Sequence, residues 1–97
     1  MRLKEKELVR KNLVLGMEFD KYLIEHPTLI EKIPQGANVV LLPEYDRELY
    51  EANMRLARKR AKEGGKVVFV RIKKLAPPAK SRLIRPRLEV AEATELR

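Results

Sequence analysis

Two short apolar runs constrain this chain more than anything else in it: Asn38 to Leu42 (NVVLL) and Lys66 to Lys73 (KVVFVRIK). Each is short, rich in β-branched residues and apolar, and the first, continuously apolar, has the pattern of a strand buried on both faces. Pro43 ends the first, and Gly64-Gly65 stands before the second. Between them, residues from about Asp46 to Glu63 read as a helix. Asp46 is a suitable N-cap, acids stand near the start, and Lys and Arg crowd the end, where they complement the helix dipole. Strand, helix and strand in succession make one βαβ unit, with parallel strands and a right-handed crossover.

The flanks are simpler. Residues from about 3 to 25 read as a long helix. Leu8, Val9, Leu13, Leu15, Phe19, Leu23 and Ile24 share one broad arc, and Lys4, Glu7, Arg10, Lys11, Glu18, Lys21 and Glu25 share the other. His26-Pro27 interrupts it, because a residue before proline avoids the α region. Thr28 to Ile33 forms a short extra turn with Leu29, Ile30 and Ile33 inward, and Pro34-Gln35-Gly36 a reverse turn. After Pro77-Pro78, Arg82-Leu83-Ile84 and Arg87-Leu88-Glu89-Val90 are expected as short edge strands around Pro86, followed by a charged end, Ala91 to Arg97, that is helical or frayed.

The expected fold is therefore α/β: a long N-terminal helix, one βαβ unit with a small parallel sheet, and an extended C-terminal arm. It forms one domain over 1–97, divided as 1–37, 38–74 and 75–97. Ninety-seven residues give a thin core. So small a sheet hides neither its faces nor its edges alone. The leftover edge, or the arm, is expected to pair with a second copy as a two-fold homodimer.

Composition removes several function classes. Cysteine is absent, so disulfides, thiolate catalysis and cysteine-zinc sites are excluded. His26 is the only histidine, which leaves no transition-metal set. It is expected to cap the first helix. No cofactor is expected, since no Gly-rich loop follows either strand and Pro43-Glu44-Tyr45-Asp46 puts carboxylates where a phosphate would need amides. No apolar run approaches a membrane span and no apolar segment follows Met1, so a cytoplasmic location is the expectation. Few amides and many charges give a thermophile-like balance.

The net charge of +8 is unevenly placed. Residues 1–54 net −2, residues 55–87 net +12 and residues 88–97 net −2. The excess lies in Arg55, Arg58, Lys59, Arg60, Lys62, Lys66, Arg71, Lys73, Lys74, Lys80, Arg82, Arg85 and Arg87; all of these but Arg60, Lys66 and Arg71 are candidate contacts of a polyanion surface. The most basic stretch lacks aromatics for stacking bases, and no reader motif is present.

Polar residues also interrupt apolar faces. Asn12, Gly16 and Asp20 follow one another at i, i+4 and i+8 within the first helix's apolar arc. Gly16 there implies close approach of another backbone. Asn53 is ringed by Leu49, Tyr50, Leu56 and Ala57, with Arg60 on the same face. Asn12, Asp20, Asn53 and Arg60 are thus a candidate buried cluster, either a structural network fixing helix register or a site for a ligand or acid–base chemistry. The strands' carboxyl ends, with Glu44, Tyr45, Asp46, Lys73 and Lys74, are the fallback position for a small molecule.

Leu13 to Pro27 (LVLGMEFDKYLIEHP), Ile33-Pro34, Gly36-Ala37, Val39 to Glu44 (VVLLPE), Asp46, Leu49, Asn53 and Leu56-Ala57 together resemble a family of short uncharacterised prokaryotic proteins. The resemblance runs over residues 8–75 and implies no activity, ligand or catalytic residue. The leading expectation is a non-enzymatic homodimeric interaction module. The alternative is a weakly specific nucleic-acid binder using the basic 55–87 surface. A third is a small enzyme built on Asp20, His26 and Asn53.

Overall fold

A computed structural model describes residues 2–96. Helix α1 spans Leu3–Glu25, and a 3-10 turn, Pro27–Lys32, follows it. Strand β1 (Asn38–Pro43), helix α2 (Arg47–Lys62) and strand β2 (Val67–Ile72) come next. The two strands form one parallel sheet, with Asn38 opposite Val67 and Pro43 opposite Ile72. This is the βαβ unit that the alternation of apolar runs and turn residues requires.

Local chemistry sets its limits. Asp46 caps α2 by accepting a hydrogen bond from the Leu49 N–H at 3.2 Å. Gly64, at φ +85°, ends it in a conformation that only glycine adopts without strain. The turn into β2 is tight. A Cβ on Gly65 would stand 2.8 Å from Asn38 Nδ2 and 3.1 Å from the Arg60 carbonyl oxygen.

The core lies between α2 and the sheet. Val40, Leu42 and Ala57 form it, with Tyr50, Met54 and Val67 packed against them. Leu15 and Leu49 are buried as well. Val40 and Leu42 face α2, whereas Val39 is exposed and Leu41 half-buried. The strand is therefore buried on one face, not both, because α1 covers the other face only partly. Pro43 does not stop β1 but closes it as a buried last residue.

Four further expectations are corrected. On α1 only Leu15 is buried; Leu8, Phe19 and Leu23 are half-covered, and Val9, Leu13 and Ile24 are exposed. The apolar arc is wider than the surface it meets. Gly16 has nothing within 4 Å of a built Cβ, so no backbone approaches it. In the 3-10 turn Leu29 is partly covered, as is Ile33 just after it, but Ile30 is exposed. Finally, residues 73–92 contain no strand: Arg82 to Ile84 and Arg87 to Val90 find no ladder partner among the described residues. A 3-10 turn at Ala93–Leu96 stands near the end.

The result is extended. Its radius of gyration is 19.4 Å, against about 12.5 Å for a compact domain of this length. Its accessible surface is 9064 Å², against about 5,700 Å² for a folded monomer of this mass.

Candidate functional site

The predicted polar cluster divides into two halves. Asn12 on α1 and Asn53 on α2 meet side by side: each amide donates to the other's carbonyl oxygen, both at 3.0 Å. Asn53 also donates to the Leu41 carbonyl of β1 at 2.8 Å. One buried amide thus ties α1, α2 and β1 together. A hydrophobic residue here would pack as well but would not fix the relative position of three elements. Lys11 reinforces the same junction by donating to Asp46 at 2.8 Å, and Lys4 pairs with Glu48 at 3.5 Å. Lys11, together with the Leu49 N–H, holds the Asp46 carboxyl below its usual range, and Asp46 raises the Lys11 ammonium in turn.

Asp20 and Arg60 stand apart from this junction. Asp20 is exposed, eight residues or about 12 Å along α1 from Asn12. Arg60 is exposed at the end of α2 and pairs with Glu63 at 3.3 Å. The four-residue cluster is therefore corrected to an Asn12–Asn53 pair. His26 caps α1: its backbone N–H donates to the Tyr22 carbonyl, and its ring stacks on Tyr22 with centroids 4.0 Å apart. Asp20, His26 and Asn53 do not converge, because Asn53 is buried with its amide already bonded, while the other two face solvent.

Nor do the strands' carboxyl ends make one site. Glu44 lines a shallow depression on the α2 side with Arg47, Tyr50, Met54 and Arg58. Lys73 and Lys74 lie instead on the rim of a cleft on the opposite side of β2. That cleft, about 730 Å³, was not legible in the sequence. Val14, Leu15, Phe19 and Tyr22 of α1 form one wall, and Val70 and Ile72 of β2 with residues 75–79 form the other. Its lining is mostly apolar, with Glu18, Lys21, Arg71, Lys73 and Lys74 among the residues around it. Only the alternation of inward residues along β2, combined with the excess width of α1's arc, hints at it.

The basic residues separate as well. Arg55, Arg58, Lys59 and Lys62 stand exposed along the outer side of α2, lining one open depression. Among the described residues no carboxylate lies within ion-pair distance of them. Arg71 donates to the Tyr50 hydroxyl at 3.0 Å and rests over Phe69. Lys80, Arg82, Arg85 and Arg87 lie on the arm.

These features describe a small α/β protein organised around one βαβ unit, with an amide junction, an apolar cleft and a cationic helix face. The chain belongs to the Family of unknown function (DUF5647), whose model matches residues 7–86. No curated protein and no solved structure matches it. No helix among the described residues is long and apolar enough to cross a membrane.

Proposed function

We propose that this protein is a non-enzymatic interaction module that works as a pair of identical chains. The observation that carries the reading is the accessible surface, about 3,300 Å² more than a folded monomer of this mass leaves open. Much of that excess is apolar: Leu83, Ile84, Leu88 and Val90 on the arm, and Val9, Leu13, Met17 and Ile24 on α1. A stable pair needs roughly 800 Å² from each partner, so the excess is ample. Separation of Asp20, His26 and Asn53 weighs against the enzyme reading, since acid–base chemistry requires groups within hydrogen-bond reach of one substrate. Sedimentation equilibrium of the full chain tests the proposal. Twice the chain mass at micromolar concentration is expected; a single-chain mass at every concentration overturns it.

The cationic face of α2 supports a second reading, weak polyanion binding. Four cations with no carboxylate partner among the described residues lie within two helical turns. A gel-shift titration with duplex DNA at rising salt tests it. Affinity is expected to fall steeply with salt and to weaken on Arg55→Glu with Arg58→Glu. Binding that ignores salt, or survives the double change intact, removes the reading.

A further inference from the structure

The sheet has two edges, and they differ. Asn38 donates its N–H to the Lys66 carbonyl, and Glu44 donates to that of Ile72, each at 2.8 Å. In a parallel ladder this phase leaves the backbone groups of Val39, Leu41 and Pro43 on the outer side of β1, and those of Val67, Phe69 and Arg71 on the outer side of β2. The β1 side is occupied at its centre, since the Leu41 carbonyl accepts from Asn53. On the β2 side no strand is present among the described residues. An apolar strand with a bare edge is a template for another extended segment.

The cleft adjoins that edge. Val67 and Arg71 face α2, where Val67 packs on the core and Arg71 reaches Tyr50. Alternation therefore puts Val70 and Ile72 on the other face, where they line the cleft opposite Leu15 and Phe19. A strand added beside β2 would lay every second side chain over this apolar trough.

The arm carries the matching pattern. From Ile84 to Val90 the sequence alternates Ile, Arg, Pro, Arg, Leu, Glu, Val. Ile84, Pro86, Leu88 and Val90 share one side, and Arg85, Arg87 and Glu89 the other. This is the signature of a half-buried strand, yet Leu88 is 101% and Val90 96% exposed. Pro86 has no N–H to donate, but Arg87 and Glu89 alternate with it and would supply the bonds toward β2, leaving proline on the outer rim. Arg85 stands at φ +45°, an unfavourable conformation for arginine that straightening into a strand would relieve. The arm does not return to its own β2. It leaves β2 at Lys73, lines the cleft through residues 75–79, and from Lys80 to Glu92 runs without a ladder partner among the described residues.

From this juxtaposition we infer that residues 84–90 of one chain dock on the free edge of β2 in a second copy, with Ile84, Leu88 and Val90 over the cleft. The exchange is reciprocal, so one two-fold axis satisfies both arms. The inference rests on the paired-chain reading and deepens it by naming the surfaces.

The absence of native cysteine makes the test direct. Leu75 lines the cleft and Leu88 lies on the arm, and both are exposed, so Leu75→Cys and Leu88→Cys leave the buried core intact. The two single variants, one with a mass tag, are mixed and oxidised, and unmodified chain is run by sedimentation. A dimer whose mixed 75–88 disulfide exceeds its statistical share over the 75–75 and 88–88 products is the expected result. A dimer with no such excess overturns the arm docking while leaving the paired-chain reading in place. A chain that sediments as a monomer throughout overturns both. A double variant that closes its disulfide within one chain at high dilution, with no excess in the mixture, also overturns the docking by showing that the arm serves its own cleft.

Discussion

Asn53 is where a single side chain matters most. It is buried, and its amide is shared between Asn12 and the Leu41 carbonyl. Replacing it with alanine removes three hydrogen bonds and strips the partner from Asn12. Asn53→Ala should cost about 2–3 kcal/mol, because part-buried polar groups lose their partners. Asn12→Ala should cost less, about 1–2 kcal/mol, and the double variant less than the sum. Urea unfolding of the four proteins in a cycle measures this coupling, and strict additivity would show that the pair contributes nothing. Asp46 gives the second residue-scale expectation. Its carboxyl is lowered first by the Lys11 hydrogen bond and then by the Leu49 N–H. A carboxyl depressed by folding stabilises the native state fully above its unfolded pKa of about 4, and that contribution is lost as pH falls through the folded value. Asp46→Ala should therefore cost about 1 kcal/mol at neutral pH, mainly as a lost N-cap. The gap to the unmodified chain should close below about pH 4, as the native carboxyl protonates. Thermal melts of both proteins from acid to neutral pH check the sign.

At the scale of elements, the two internal glycines of interest behave oppositely. Gly65 touches the Arg60 carbonyl and the Asn38 amide, so Gly65→Ala must push backbone or break the Asn38 to Lys66 bond. It should destabilise by about 1–3 kcal/mol. Gly16 lies inside α1 with open space around it, so Gly16→Ala should stabilise by about 1 kcal/mol through helix propensity alone. Denaturant midpoints of the two variants should move in opposite directions. The same contrast explains what was legible beforehand. Strands, α2 and its Asp46 cap follow from local signals, β-branched runs and turn residues, that do not depend on distant neighbours. The Asn12–Asn53 pair was visible as polar residues within apolar arcs. Asp20 and Arg60 shared that signal but not the outcome, because periodicity shows which residues share a face and not how far the facing surface extends. For the same reason Val9, Leu13 and Ile24 were expected inside. The edge strands near Pro86 failed differently: their pattern is a strand's, but a strand needs a ladder, and among the described residues neither segment is paired with one.

Considered as a whole molecule, the protein has very little interior. Leu42 is completely buried at the centre of a core of a few side chains. Leu42→Ala should cost about 3 kcal/mol, a large share of the stability of so small a domain, and circular dichroism would show substantial unfolding near 37 °C. If two copies associate as proposed, stability also depends on how much protein is present. A tenfold rise in concentration should add about 1.4 kcal/mol per dimer and raise the melting temperature measurably. A melting temperature that is flat across concentration would argue for a chain that folds alone. The Asn53 bond to Leu41 has one more effect at this scale. A ribbon receptive along both rims can recruit neighbours without end, in the manner of a growing fibril. Here the rim of β1 is plugged at its centre by a side chain from within the same molecule, so β1 offers no unbroken ladder and neighbours could be recruited only along the rim of β2.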